Sequence, residues 1–144
     1  MSFWDSSALV PLLVREESSA AIGKRYRGDH APIVWWGAEV ECASAVARLE
    51  REGTLSSRGG TEAFRRLDTL IRAWHVIEPV AVVRETARRL LRVHELRAGD
   101  ALQLGAALVA AEGRSPTLEF VCLDERLSAA ARLEGFAVMG RTGL

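Results

Sequence analysis

The 144-residue sequence has one lysine (Lys24), two cysteines and one tyrosine, carries no net charge, and has no long uninterrupted apolar run. Each shortage excludes something. No stretch approaches the roughly 20 apolar residues that cross a bilayer as a helix. The start, Ser2-Phe3-Trp4-Asp5, has neither a basic leader nor a cleavable apolar stretch, so a cytoplasmic location is the default expectation. Cys42 and Cys122 sit inside apolar segments, not in a spaced framework, and read as buried free thiols. With 19 basic and 19 acidic residues, the whole-chain charge gives no footprint for nucleic acid. Every basic residue except Lys24 is arginine, the better fork for phosphate.

What is present is an ordinary globular composition, 49% apolar and 26% charged, at a length suited to one domain over residues 1–144. Short apolar strands alternate with helices. Strands are expected at Ser2–Asp5, Ile33–Trp36, Val76–Ile77, Glu119–Leu123 and Phe136–Met139. Helices are expected from Ser6 or Ser7, as cap, through Leu13, and over Glu16–Arg27, Gly37–Glu52 and Thr61–Trp74. Three more are expected over Ala81–Glu95, Gly99–Glu112 and Glu125–Leu133, with Gly59-Gly60 breaking the chain and Arg58–Gly60 and Arg114–Thr117 as loops. Such alternation predicts a parallel sheet covered on both faces, with ligands bound beyond the carboxyl ends of its strands.

Four acids occupy informative positions. Asp5 and Asp124 close apolar strands, while Glu41 and Asp100 lie near the starts of Ala-rich helices. Singly, each has a plain explanation: Asp5 and Asp124 as helix caps, Asp100 as a first-turn acid, Glu41 as a solvated charge. The serines after Asp5 are equally able to cap, which would leave Asp5 free. Glu41, Ser44, Ala45 and Arg48 share one helical stripe, with Cys42, Val46 and Leu49 on another; Glu39 lies about 160° around from Glu41. The helix after Asp100 is almost wholly apolar, so an acid at its mouth faces the interior or a cleft. Clustered carboxylates repel, and a divalent cation is the usual remedy. His30, His75 and His94 read as structural or exposed. Trp35 and Trp36 are adjacent on a strand and face opposite ways, so at least one belongs to the core.

Taken in order, Asp5-Ser6-Ser7-Ala8-Leu9-Val10, Glu41-x-x-Ser44-Ala45-x-x-Arg48, Leu96-Arg97-Ala98-Gly99-Asp100-Ala101-Leu102-Gln103-Leu104, and Phe120-Val121-Cys122-Leu123-Asp124-Glu125-Arg126-Leu127 resemble PIN-domain ribonucleases. The resemblance is strongest to the VapC-type toxins of VapBC toxin–antitoxin pairs. It implies an α/β fold, a three-layer α/β/α PIN-like domain with a central parallel sheet. It also implies a Mg²⁺- or Mn²⁺-dependent endoribonuclease whose catalytic and metal-binding acids are Asp5, Glu41, Asp100 and Asp124, supported by Ser7. Cys122 stands where Thr or Ser is frequent, and Gln103 where His is common. An RNA substrate, a cognate antitoxin and a homodimer are the partners implied.

In this reading Asp5 and Asp100 hold the principal ion, and Glu41 and Asp124 complete the cluster, bind a second ion or orient the attacking water. Arg48 either contacts RNA phosphate or pairs with Glu52. A phosphotransfer receiver is disfavoured because Lys24 lies too early in the chain, and a haloacid-type hydrolase because Asp5-Ser6-Ser7 lacks the Asp-x-Asp pattern. The alternative is a catalytically silent PIN-like module that binds RNA or protein.

Overall fold

In the computed structural model, which describes residues 1–141, β1 (Ser2–Trp4), β2 (Ile33–Trp35), β3 (His75–Ile77), β4 (Glu119–Val121) and β5 (Ala137–Met139) form one parallel sheet. The spatial order is β3-β2-β1-β4-β5, with Phe3 opposite both Ile33 and Phe120 and Trp4 opposite Val121. Helices cover both faces: α1 (Ser6–Leu9), α2 (Ser19–Arg27), α3 (Ala38–Arg51), α4 (Ser57–Ile71), α5 (Ala81–Val93), α6 (Ala98–Ala111) and α7 (Glu125–Leu133). This is the expected α/β/α arrangement.

Side chains alternate across a strand, and that period of two sorts the core into two halves. Phe3, Ile33, Trp35, Phe120 and Cys122 face one side and pack with Val83, Leu90, Leu104 and Leu127 from α5, α6 and α7. Trp4, Val34, Val121 and Leu123 face the other and pack with Leu9, Ile22, Val46 and Leu67 from α1 to α4. Phe3 stacks on Phe120, with ring centroids 5.4 Å apart. The sheet is buried through its middle, which is why its strands read as continuous apolar runs.

Several boundaries depart from expectation for local reasons. The first helix is one turn, and Val10–Leu12 continue as a 3₁₀ turn, because Pro11 has no N–H to sustain an α-helical ladder. The second helix begins at Ser19, not Glu16; the Glu16 N–H is taken instead by Ser19 Oγ at 2.7 Å. Gly59 and Gly60 do not break the chain. Both lie in the first turn of α4, where Ser56 Oγ accepts the Gly59 N–H at 3.0 Å, so Arg58–Gly60 are helix and not a loop. A Cβ on Gly60 would stand 1.4 Å from Glu50 Oε1; glycine permits that close approach of α4 to α3.

Helices α5 and α6 pack most intimately, and Gly105 explains how. A Cβ there would lie 3.1 Å from the Val83 carbonyl oxygen and 3.4 Å from the Ala87 nitrogen, both backbone atoms with little room to yield. Gly105→Val is therefore expected to destabilise the fold by roughly 1–3 kcal/mol through overpacking, outweighing the gain of up to about 1 kcal/mol from removing a helical glycine. Urea unfolding of the two proteins measures it.

Candidate active site

Chain order places the site. From β1 the chain builds outward to β2 and β3, then returns past β1 to add β4 and β5, so the direction of winding reverses between β1 and β4. In an open parallel sheet that reversal leaves a crevice at the carboxyl ends of the two strands. Asp5 ends β1, and its N–H still donates to Val121 of β4 at 3.0 Å. Asp124 lies just beyond β4.

Asp5 is buried, and it is itself the cap of α1: its Oδ2 accepts the Ser7 N–H at 3.1 Å. The neighbouring serines do not replace it. Ser7 Oγ donates to the same Oδ2 and accepts the N–H groups of Leu123 (2.9 Å) and Asp124 (3.3 Å), tying the exits of β1 and β4 together. Cys122 Sγ also donates toward Oδ2, at 3.5 Å. Among the described residues Oδ1 accepts no hydrogen bond and keeps its lone pairs.

Glu41 lies in the first turn of α3, partly buried, with one donor on each oxygen. Ser6 Oγ donates to Oε2 at 3.0 Å, and Gln103 Nε2 donates to Oε1 at 3.2 Å. Gly37, just before α3, matters to this placement, because a Cβ there would meet Trp35 Nε1 at 2.5 Å and push the helix start off the sheet. Glu39 is exposed. Asp100 occupies the first turn of α6, partly buried, and the apolar residues after it are buried as expected. Asp124 is exposed and caps α7, accepting the Leu127 N–H at 2.8 Å. The ordinary capping roles therefore coexist with the convergence.

Electrostatics register the crowding. Burial raises Asp5 above the usual carboxylate range; its hydrogen bonds from Ser7 and Cys122 only partly offset this, and Asp100 repels it further. Burial likewise pushes Glu41 up to about 7, with Asp5 and Asp100 adding repulsion against the hydrogen bonds from Ser6 and Gln103. Asp100 is raised by burial and by Asp124, with Arg97 and Arg126 pulling the other way. Asp5, Glu41 and Asp100 are thus linked by repulsion, and Asp124 repels Asp100. Burial also raises the Cys122 thiol, which keeps it protonated and a donor to Asp5.

Among the described residues, no group of three or more Asp, Glu, His or Cys side chains is placed to enclose a metal ion. The donor chemistry nevertheless fits a hard divalent cation: carboxylate oxygens, a free Oδ1 on Asp5, and repulsion that a cation would relieve. Mg²⁺ keeps several waters and uses few carboxylates, so a closed cage is not what it requires.

Arg48 is not brought to this set. It lies seven residues beyond Glu41, about 10 Å along the helix, and its guanidinium is 4.0 Å from Glu52 with both side chains exposed. Trp35 is core and Trp36 is exposed. His94 bonds Glu134 at 2.8 Å, while His30 and His75 are exposed away from the acids. Two polar residues at the site have no site role in the sequence reading: Ser6 is there only a candidate helix cap, and Gln103 has none. Gln103 sits three residues after Asp100 on the same helical stripe, and that spacing is the signal that marks it. Arg97 and Arg126 share a cleft with Asp100 and Asp124.

No family model matches the chain. It is 30% identical over 136 residues to Ribonuclease VapC45 of Mycobacterium tuberculosis (strain CDC 1551 / Oshkosh), covering 94% of this chain and 92% of that protein. Ribonuclease VapC49 of Mycobacterium tuberculosis (strain ATCC 25618 / H37Rv) matches with the same identity and coverage. In fold it is similar to PAE2754 from Pyrobaculum aerophilum, with TM-score 0.66 and 21% identity over 96% of this chain and 87% of that one. A toxin–antitoxin complex from Klebsiella pneumoniae gives TM-score 0.66 at 12% identity, covering 96% of each chain. With the fold and the order of the acids in place, the extent and identity of the match to the two mycobacterial ribonucleases make this chain a member of the VapC ribonuclease family.

Proposed function

We propose that the chain is a divalent-metal-dependent endoribonuclease, the toxin of a type II toxin–antitoxin pair, with Asp5, Glu41, Asp100 and Asp124 as its working acids. The observation that carries this is the gathering of four acids from separate parts of the chain at one end of the sheet, three of them held above their ordinary range. A group of acids that destabilises the metal-free fold is hard to account for without a ligand of opposite charge. When bound, Mg²⁺ or Mn²⁺ supplies a Lewis acid that lowers the pKa of water and neutralises charge on phosphate oxygens.

The protein's own contribution is placement. Asp5 and Asp100 would hold the principal ion, Asp5 through its unengaged Oδ1. Ser7 fixes the Asp5 carboxylate and the β4 exit relative to each other. Glu41 and Asp124 would complete the cluster, and a carboxyl near pH 7 at Glu41 is suited to hold or release a proton during hydrolysis. The test is cleavage of structured and single-stranded RNA by purified protein with Mg²⁺ or Mn²⁺, and again after chelation. Metal-independent cleavage, or none under any condition, would refute the reading. The silent-module alternative draws on the open placement of the carboxylates, and RNA binding without cleavage is its outcome.

Arg97 and Arg126 flank Asp100 and Asp124, are exposed, and have no ion-pair partner among the described residues. They would grip the RNA backbone that the acids alone repel. Replacing both with alanine is expected to weaken RNA binding and reduce the magnitude of the slope of log K against log salt by roughly 1.4, at about 0.7 per single-strand phosphate contact. Filter binding across a salt series measures it. A cognate antitoxin and a homodimer belong to the same proposal, supported for the antitoxin by the fold shared with a toxin–antitoxin complex, and light scattering across micromolar concentrations tests the homodimer. No helix among the described residues is long and apolar enough to cross a membrane.

A further inference from the structure

One buried side-chain atom among the described residues lacks a hydrogen-bond partner: Gln103 Oε1. Gln103 is fully buried in α6, where its buried neighbours along the helix are alanine, leucine and glycine. A buried amide that satisfies only part of its hydrogen-bonding capacity is unfavourable, and leucine at that position would remove the penalty. Stability therefore does not account for glutamine here. What the residue does accomplish is at its other end, where Nε2 donates to Glu41 Oε1 at 3.2 Å.

That bond spans the mouth of the sheet. Glu41 belongs to α3 on one face and Gln103 to α6 on the other, and Ser6 holds the second Glu41 oxygen from the start of α1. Glu41 is a long side chain near the start of a helix. One donor would leave its carboxylate free to swing, whereas two donors from different elements fix both oxygens in one plane. Asp100, one turn before Gln103, is carried by the same helix, so the bond sets Glu41 relative to Asp100 as well as to Asp5.

We propose that Gln103 is a positioning residue for metal binding, retained at a cost in stability because its amide holds the Glu41 carboxylate in register with Asp5 and Asp100. The inference rests on the metal-site reading above. It predicts opposite effects of one substitution on two measurements. Metal-free Gln103→Leu unfolds at the same temperature as wild type or higher, yet binds Mn²⁺ more weakly by roughly 10–100-fold, the range for losing a group that orients a ligand. Gln103→His, whose ring offers one donor and one acceptor, keeps Mn²⁺ affinity near wild type.

Thermal unfolding without metal and Mn²⁺ calorimetry on the folded proteins decide the matter. A Gln103→Leu protein that is less stable, or unfolded, and binds Mn²⁺ as wild type does when folded would make Gln103 a clasp between helix layers and overturn the proposal. Failure of Gln103→Leu to fold overturns it too, since stability is predicted to hold. Should wild type bind no Mn²⁺ at all, the metal-site reading itself fails. Equal binding by wild type and Gln103→Leu sinks only the present inference.

Discussion

Asp5→Asn should abolish RNA cleavage while leaving the metal-free protein at least as stable as wild type. Asparagine matches aspartate in shape, and its carbonyl oxygen still accepts the Ser7 N–H that caps α1. The Oδ1 position proposed to hold the cation becomes an amide nitrogen, which cannot ligate. Losing a principal ligand removes several kcal/mol of transition-state stabilisation, which at 1.36 kcal/mol per decade is on the order of 10³-fold in rate. The fold gains on the other side, because wild-type Asp5 is buried beside other acids and is held above its ordinary range. Single-turnover cleavage and thermal unfolding of the same preparations measure both arms. Unchanged cleavage would remove Asp5 from the catalytic set. Lost cleavage with lost stability would mean that the cap, not the ligand, is what the substitution broke.

Glu41 predicts how stability follows pH. Its carboxyl titrates at about 7 in the folded protein, against 4.5 ordinarily. Below both values, folded and unfolded chains are equally protonated there and the residue contributes no pH dependence. Between about 4.5 and 7 the folded protein binds more protons than the unfolded, so stability falls as pH rises. Above about 7 the loss is complete. It amounts to about 1–3 kcal/mol, toward the lower end because Glu41 is partly solvated. Glu41→Gln should flatten that fall and make the metal-free protein more stable than wild type at pH 8, with little difference at pH 4. Mn²⁺ should reverse the trend in wild type, since the ion competes with protons and its affinity strengthens as pH rises toward 8. Urea denaturation at several pH values, with and without metal, decides it. A wild-type stability that rises from pH 5 to 8 without metal would contradict the raised Glu41.

Both predictions set stability against function, and the same opposition runs through Gln103. The cluster looks unfavourable when the metal-free fold is considered alone, as expected of a site arranged for a charged ligand.

Much of this was legible in the chain. Apolar runs such as Phe120-Val121-Cys122-Leu123, broken by an acid and followed by a helical pattern, define strand, turn and helix because the side-chain period changes from two to 3.6 at that point. That is local information, and it located β1, β4, α3, α6 and α7 to within about two residues. Gly59-Gly60 misled for an equally physical reason. Glycine reads as a breaker when only local propensity is weighed, but here it makes room for Glu50 from another helix.

The candidates for the chemistry came from the sequence itself: the four acids, their order, and their places at strand exits and helix starts are properties of the chain read in one dimension. Only the tertiary structure decided that β1 and β4 are neighbours, that Ser7 bridges their ends, and that Gln103 reaches across from α6 to Glu41. Those facts depend on strand order and on contacts between residues 62 to 117 positions apart. No local periodicity encodes such pairings, because they are settled by which apolar faces bury one another when the whole chain packs.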